Sequence, residues 1–126
     1  YLNAPSGGLI LDPANSVLRD QTGFRTGFIP VYDRDTCIDC GLCDLTCPDY
    51  CVVWADDPEG VRLPVGGGQV KRRMLGIDYQ YCKGCFRCVA ACPTGSLHKE
   101  RETEGYADEH RVQRYALREE VGVDER

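Results

Sequence analysis

The apolar positions of this chain form short runs separated by glycine, proline and charged residues, a pattern typical of short strands and loops rather than of long helices. Two groups of cysteines interrupt this pattern, and apolar positions lie before and after each group. The preceding positions are Val31, Tyr32, Gly76 and Ile77, and the following positions are Val52 and Leu97. Each cysteine group is therefore expected to have one strand before it and one after it.

The spacer between the two groups predicts a hairpin. Within residues 55–75, two strand-like runs flank Gly66, Gly67 and Gly68, and consecutive glycines are a common turn composition. This insertion is longer than two linked cysteine groups require. A contact with another subunit and an elaborated loop explain it equally well.

Residues 1–29 are predicted to form an N-terminal arm. Apolar side chains such as Leu9, Ile10 and Val17 alternate with prolines and glycines, so the segment is too broken for a helix and too apolar for a free linker. We expect this arm to lie on a partner protein.

Residues 99–126 form a charged C-terminal tail. Its apolar positions partly follow the i, i+3, i+4 spacing of a helix, and they are Ala107, Val112, Tyr115, Ala116 and Leu117. A helix over about Tyr106–Glu120 is expected. Because its apolar stripe is narrow, docking on a partner and fraying at the surface are both open, with docking favoured.

Nine cysteines stand in 126 residues, and eight of them repeat. The segments CIDCGLCDLTCP and CKGCFRCVAACP both have the spacing C-x2-C-x2-C-x3-C-P, and a shift of 45 residues superimposes them. The pairs are Cys37 with Cys82, Cys40 with Cys85, Cys43 with Cys88 and Cys47 with Cys92. Between the third and fourth cysteine one helical turn is predicted, which Pro48 or Pro93 ends. We therefore predict two copies of one unit about a pseudo-twofold axis.

This spacing suits an iron-sulfur cubane. Three thiolates only two residues apart must curl round one small object, with backbone N–H groups pointing at it. Gly41 and Gly84 can adopt positive φ, and Asp39, which corresponds to Gly84, is one of the few residue types that tolerate it. In bacterial sequences with this spacing the fourth cysteine ligates the other cluster. The predicted ligands are Cys37, Cys40, Cys43 and Cys92 for [4Fe-4S] cluster I, and Cys82, Cys85, Cys88 and Cys47 for [4Fe-4S] cluster II.

Zinc and disulfides are the alternatives for these cysteines. Zinc accepts four cysteines, but its sites use two separated C-x2-C pairs, and a third cysteine two residues after a pair fits a tetrahedron poorly. Disulfide scaffolds show varied spacings rather than two matching runs. Iron-sulfur clusters are therefore favoured, and a brown protein with broad visible absorption would distinguish them from colourless zinc sites.

Composition excludes several functions. The formal net charge of −5 disfavours a nucleic-acid surface, which needs a basic stripe, and the short basic run Lys71–Arg73 is expected at the solvated end of the hairpin. No pairing of histidine with a carboxylate and no phosphate-binding loop is visible, so no catalytic residue is predicted. His98 and His110 are expected at the surface. Without a membrane-spanning run or a signal segment, a soluble cytoplasmic protein is expected.

From about residue 30 to 98 the chain resembles the bacterial-type dicluster ferredoxins, on the strength of the doubled C-x2-C-x2-C-x3-C-P motif. The resemblance implies an α+β domain with two hairpin-like sheets and two short helices related by the repeat. It also implies two [4Fe-4S] clusters close enough to exchange an electron. The expected organisation is an arm over 1–29, a ferredoxin domain over 30–98 with repeats 31–54 and 76–99, and the tail over 99–126.

Two stretches around the cysteine groups are similar to a narrower family. They are TGFRTGFIPVYDRDTC, which begins at Thr22, and GIDYQYCKGCFRC, which begins at Gly76. Both resemble the delta, ferredoxin-like subunit of 2-oxoacid:ferredoxin oxidoreductases. That resemblance implies an electron carrier without an active site, bound to catalytic subunits that hold thiamine diphosphate and passing electrons to an external acceptor or ferredoxin. The chain departs from the family at Phe86, where glycine is usual, and at Phe24, where tryptophan is common.

Other functions stay open at this point. A free-standing dicluster ferredoxin would carry the same motif but would be expected to be shorter, and an electron-transfer subunit of another redox complex would carry it too. A structural metal-binding module is a third possibility, which the metal identity would test. Within any of the electron carriers, cations such as Lys83 and Arg87 are expected to raise cluster potentials, and carboxylates such as Asp39 and Asp44 to lower them.

The ninth cysteine, Cys51, gives a direct test of the ligand assignment. It corresponds to Ser96 in the repeat and is expected to be a small buried side chain beside the cluster, with a rescue ligand or a redox-active thiol as the alternative. We expect Cys51→Ala to retain the iron content of the wild type. Cys47→Ala should lose or convert cluster II, because a ligand is removed. Iron and sulfide analysis with electron paramagnetic resonance (EPR) measures both, and loss of a cluster in Cys51→Ala alone would reverse the assignment.

Overall fold

A computed structural model describes the backbone of residues 18–62 and 69–114, and the side chains of 18–56 and 72–114. A short 3-10 turn, Thr22–Phe24, precedes the first strand. The strands are β1 Phe28–Tyr32, β2 Val52–Arg62, β3 Gln69–Ile77 and β4 Leu97–Arg101. The helices are α1 Leu42–Thr46, α2 Arg87–Ala91 and α3 Tyr106–His110. The apex of the predicted hairpin, residues 63–68, lies outside the described residues.

The four strands form two antiparallel two-stranded sheets that express the repeat. β1 pairs with β4, with Phe28 opposite Arg101 and Tyr32 opposite Leu97. β2 pairs with β3, with Val52 opposite Ile77. Each sheet therefore joins the strand that precedes one cysteine group to the strand that follows the other. This exchange, with one short helix per repeat, is the expected α+β dicluster ferredoxin fold.

The two cysteine loops have the same backbone course. α1 and α2 are related by the shift of 45 residues, and the cysteine that ends each helix is extended, with ψ of 115° at Cys47 and 114° at Cys92. Left-handed residues also occur in corresponding pairs, which are Asp39 with Gly84, Gly41 with Phe86, and Tyr50 with Gly95. Each pair contains one glycine and one larger residue. The loop geometry is therefore retained even where a side chain makes positive φ costly.

The apolar core lies between the sheets and the cysteine loops. Its buried aliphatic side chains include Ile29, Val52, Met74, Ile77 and Leu97, each at most 2% exposed. Val52 and Ile77 face one another across the second sheet, and Ile29 and Leu97 belong to the first. Partly buried cysteines of both loops pack against this cluster. The core therefore supports the cysteines directly.

The C-terminal segment leaves the helical course earlier than the sequence pattern predicts. We expected a helix over about Tyr106–Glu120, but α3 ends at His110 and Arg111 is extended, with ψ of 126°. The Val112 N–H donates to the Ile77 carbonyl at 3.0 Å, so this part of the chain follows β3. Gly76 allows the approach, since a Cβ there would lie 2.7 Å from Val112 Cγ2. Backbone pairing with β3 therefore replaces the helical hydrogen bonds.

A buried carboxylate holds this segment in place. Asp78 is fully buried and accepts hydrogen bonds from Arg111 Nε at 2.7 Å and from the Arg114 backbone N–H at 2.9 Å. The Arg114 guanidinium donates to the carbonyl of Val52 at 3.0 Å and to that of Tyr50. Asp78 thus ties the C-terminal segment to the strand that leads into the second cysteine loop.

The described residues extend past the expected boundaries of the ferredoxin domain. β1 begins at Phe28 rather than at residue 30, and β4 continues to Arg101. Residues Asp20–Arg114 form one compact unit. The greater part of the N-terminal arm, residues 1–17, and the end of the tail, residues 115–126, lie outside the described residues. Within the described part of the chain, no helix has the length and apolar character to cross a membrane.

The buried ion pair between Asp78 and Arg111 is expected to stabilise the folded protein. Arg111→Ala should lower the free energy of unfolding by about 3 kcal/mol, because it leaves a buried carboxylate without its cation. The measurement is the midpoint of urea unfolding under anaerobic conditions, followed by circular dichroism. Arg101→Ala, which removes an exposed arginine from β4, is the matched control and should change the midpoint little. Equal midpoints for the two variants would contradict the role of the ion pair.

Candidate iron-sulfur centres

Four cysteines predicted to ligate cluster II line one cavity. The wall of this cavity, which is partly open to solvent, contains Cys47 from the first loop with Cys82, Cys85 and Cys88 from the second. Apolar residues complete the wall, namely Pro30, Pro48, Val52, Ile77 and Phe86. The chain therefore brings the fourth cysteine of one repeat to the first three of the other. The assignment of these residues as ligands stays a prediction.

Cys51 lines the same cavity and contacts two of the predicted ligands. It is 2% exposed, and its thiol hydrogen-bonds to the sulfurs of Cys47 and Cys82. The hydrogen bond from Cys51 lowers the pKa of Cys47 to about 6 and also lowers the pKa of Cys82. The Cys51 backbone N–H donates to Cys47 Sγ at 3.3 Å as well. Both shifts favour the thiolate form, which is the form in which cysteine ligates iron.

The cysteines predicted for cluster I are placed by the first loop and by the end of the second. Cys43 is buried, and burial raises its pKa to about 12, with the neighbouring charges of Cys40 and Cys37 adding to the effect. A cationic [4Fe-4S] core held by these residues would offset their charges.

A chain of hydroxyl contacts links Cys92, the fourth cysteine predicted for cluster I, to the start of the first cysteine loop. Thr36 Oγ1 donates to Ser96 Oγ at 3.1 Å, and Ser96 Oγ lies 2.7 Å from Thr94 Oγ1. Thr94 Oγ1 in turn lies 3.7 Å from Cys92 Sγ. These contacts fix the loop after Cys92 beside the residue that precedes Cys37. α1 and α2 also pack against each other.

The donor set and the loop shape fit two cubanes. All eight side chains are free thiols, with Cys40 and Cys85 exposed and the others partly or fully buried. Among the described residues, no three histidine, cysteine or acidic side chains converge as round a single metal ion. The four cysteines of a cubane bind four different iron atoms and stand farther apart than the ligands of one ion. The predicted residues would hold the two clusters, which supply one-electron redox chemistry.

Charged side chains flank the two loops differently. Near the first loop, Arg34 forms a bidentate pair with the buried carboxylate of Asp39, at 2.5 and 2.8 Å. Near the second loop, Lys83 Nζ lies 3.2 Å from the Asp49 carboxylate. The guanidinium bonds of Arg34 hold the pKa of the Asp39 carboxyl below its usual value, so this side chain is an anion at neutral pH.

Arg25 lies in the stretch TGFR, and no function is predicted for its side chain from the sequence pattern. In the structure its side chain is 1% exposed and donates to Glu102 at 2.9 and 2.6 Å. Its Nη1 donates at 2.9 Å to the carbonyls of Tyr79 and of the predicted ligand Cys82. Glu102 lies 77 residues away along the chain, so no local pattern could have revealed the pair.

The two histidines were predicted to lie at the surface, and both have solvent-accessible side chains in the structure. His98 Nε2 is 2.9 Å from Glu100 Oε1, in a pair whose side chains are about half exposed. His110 Nδ1 is 3.0 Å from the Tyr106 carbonyl, and its ring stacks on the Tyr106 ring with 4.1 Å between centroids. Neither contacts a predicted ligand in these interactions.

Comparison with known protein families agrees with this geometry. Two family models described as a 4Fe-4S dicluster domain match the chain, one over residues 36–96 and the other over residues 74–122. The first spans both cysteine loops and the hairpin between them. The second begins inside β3, the strand that precedes the second cysteine loop.

Individual proteins are also similar to this chain, over half of its length or more. It is 35% identical to pyruvate synthase subunit PorD of Methanothermobacter marburgensis over 96 residues, which are 76% of this chain and 94% of that protein. It is 32% identical to pyruvate synthase subunit PorD of Thermotoga maritima, over 83% of this chain and 90% of that protein. An uncharacterized ferredoxin of Methanocaldococcus jannaschii is 30% identical over 53% of this chain and 71% of its own length. The chain therefore belongs to the family of dicluster [4Fe-4S] proteins that includes pyruvate synthase subunit PorD.

Proposed function

We propose that this protein is the electron-transfer subunit of a pyruvate synthase, a 2-oxoacid:ferredoxin oxidoreductase. The observation that carries the proposal is the extent of the match to subunit PorD, which includes both cysteine loops and nearly the whole length of the relatives. In the proposed assembly, thiamine diphosphate is bound by the catalytic subunits and the oxidised substrate is pyruvate or a related 2-oxoacid. This chain supplies two [4Fe-4S] clusters.

The described residues suit conduction rather than catalysis of a bond-breaking step. The eight cysteines that repeat are committed to the predicted cluster sites, and the pair of His98 and Glu100 lies on the surface of β4. A general acid or base needs a position beside a bound substrate. The cavity lined by Cys47 and Cys82 is instead walled mainly by cysteines and apolar residues, which suits a cluster.

Residues of this chain determine how far apart the two proposed clusters lie and which charges surround them. One predicted ligand of each cluster lies on a helix, Cys43 on α1 and Cys88 on α2, and these two helices contact each other. The apolar wall around Val52 and Ile77 keeps water from part of the cavity. The local dielectric is therefore low, and electrostatic interactions between a cluster and nearby charged side chains are stronger than in water. The protein thus sets the distance between the centres and the field at each one.

The acceptor belongs to the proposal as well. Electrons released by oxidation of the 2-oxoacid enter this chain from the catalytic subunits and leave to a ferredoxin or a similar one-electron carrier. A free-standing dicluster ferredoxin is the second candidate, favoured by the resemblance to an uncharacterized ferredoxin over about half of the chain. The match to PorD extends over a larger share of the chain, which favours the subunit.

Purification of the intact complex tests the proposal. The full chain, tagged and isolated anaerobically from the organism that encodes it, should bring down catalytic subunits that contain thiamine diphosphate. We expect that complex to reduce a viologen dye when a 2-oxoacid and coenzyme A are supplied. Mass spectrometry identifies the subunits, and assays with pyruvate and with other 2-oxoacids identify the substrate.

The matched control is a complex carrying Cys47→Ala. The catalytic subunits should still bind, because Cys47 lies inside the cavity rather than on an exposed face, but reduction of the dye should fall at least tenfold. Recovery of the tagged chain as a cluster-loaded monomer without other subunits would instead support the free ferredoxin.

A further inference from the structure

One ion pair lies beside each cysteine loop, and the buried member is the cation in one pair and the anion in the other. On the side of the second loop, the Arg25 guanidinium is the inner member of its pair. Its side chain is 1% exposed while that of its partner Glu102 is 20% exposed. The guanidinium donates directly to the carbonyl of Cys82, so its positive charge lies beside one predicted ligand of cluster II.

On the side of the first loop the order is reversed. The Asp39 carboxylate is the inner member, with its side chain 2% exposed, and Arg34 is the outer one at 36%. Asp39 Oδ1 lies 3.8 Å from the sulfur of Cys37, a predicted ligand of cluster I. It also accepts the Met74 backbone N–H at 2.9 Å, which fixes it in this position. A negative charge therefore faces cluster I.

The repeat shows how the difference arises. Asp39 and Gly84 occupy equivalent left-handed positions, with φ of 53° and 70°. A Cβ on Gly84 would lie 3.3 Å from Arg25 Cγ and 3.2 Å from the Phe28 carbonyl oxygen. Absence of a side chain at Gly84 thus leaves room for Arg25, whereas the first repeat fills the same position with a carboxylate. One exchange within the repeat reverses the sign of the nearest buried charge.

We propose that the two clusters have different midpoint potentials, with cluster II the higher, and that Arg25 and Asp39 are the residues that separate them. Reduction adds one negative charge to a cluster, which a nearby buried cation stabilises and a nearby buried anion opposes. The one-electron-reduced protein therefore holds its electron on cluster II. This inference rests on the proposed function and on the ligand assignment, and it adds the order in which the centres are reduced.

The nearby charged groups support this order. Lys83 is paired with Asp49 and is 40% exposed, so solvent screens its charge more than that of Arg25. Arg25 stays protonated at every pH at which the protein is folded. The buried guanidinium is therefore the stronger influence at cluster II.

A stepwise reductive titration of the full chain with both clusters, followed by EPR, tests the proposal. The wild type should show two resolved one-electron steps: an upper step at the higher potential, which is reduction of cluster II, and a lower step at the lower potential, which is reduction of cluster I. Arg25→Gln should lower the midpoint potential of the upper step by about 59 mV, which is a tenfold change in the equilibrium constant for one electron. It should leave the midpoint potential of the lower step unchanged. Asp39→Asn should raise the lower step by a similar amount. Arg25→Lys, which retains the charge but not the fork of hydrogen bonds, should recover most of the wild-type upper step.

Two further variants separate charge from structure. Glu102→Gln keeps Arg25 and removes its counter-ion, so the upper step should rise, and this variant decides the question if Arg25→Gln fails to retain cluster II. Arg101→Gln, an exposed neighbour on β4, is the control and should shift neither step. The proposal is overturned if Arg25→Gln moves the lower step, if neither step moves in Arg25→Gln and Glu102→Gln, or if the wild-type steps coincide. Failure of the proposed function would show instead as missing catalytic subunits in the purified complex, with the potentials still separated.

Discussion

The close spacing of three thiolates in each loop is the constraint on which this structure depends. Between these thiolates the backbone passes through left-handed residues at the same places in both repeats, Asp39 with Gly84 and Gly41 with Phe86. A third such pair, Tyr50 and Gly95, follows the fourth cysteine. A non-glycine residue in that conformation costs roughly 1–2 kcal/mol. The core under the loops and the contacts around them must offset this cost.

Each repeat offsets the cost in its own way. Asp39 gains bonds from Arg34 and from the Met74 backbone N–H, which hold its left-handed backbone in place. Phe86 lines the cavity, and the Lys99 ammonium lies over its ring, 4.8 Å from the centroid, and over the Phe28 ring at 4.4 Å. Cation–aromatic contacts of this kind contribute about 0.5–1 kcal/mol each at exposed sites. Phe86 departs from the glycine that is usual in the family and is tolerated because its ring is used in packing.

Local features could be predicted from the sequence because their cause is local. The cysteine spacing dictates a tight loop, the proline after Cys47 or Cys92 ends one helical turn, and the shift of 45 residues relates the two sheets. Long-range pairs left no such pattern, since Arg25 with Glu102 and Asp78 with Arg111 join distant parts of the chain. The helix expected over Tyr106–Glu120 was too long for the same reason. Its apolar spacing was real, but Asp78 and the Ile77 carbonyl attract the chain after His110 into an extended course.

The segments on either side of the repeat bind the residues around the second cysteine loop. Gln21 donates its backbone N–H to the Gln80 carbonyl and its side chain to Asp49, and Arg25 binds the carbonyls of Tyr79 and Cys82. From the other end of the chain, the segment after His110 binds Asp78. Both segments therefore contact the residues that lead into the second cysteine loop. Both also contact residues that follow the first loop, since Gln21 binds Asp49 and the Arg114 guanidinium binds the Val52 carbonyl.

The first loop shows the opposite character. Its Ile38, Leu42 and Leu45 are 56%, 42% and 83% exposed in the described residues. A symmetric gene repeat alone would give two equivalent centres, because equivalent loops create equivalent fields. Within the described residues that equivalence is lost, because Arg25 and Glu102 form an ion pair beside the second loop, while apolar side chains of the first loop stay exposed. The proposed difference in midpoint potential therefore has two sources that leave all eight cysteines unchanged. One is the exchange between Asp39 and Gly84 inside the motif, and the other is the guanidinium of Arg25, which lies outside it.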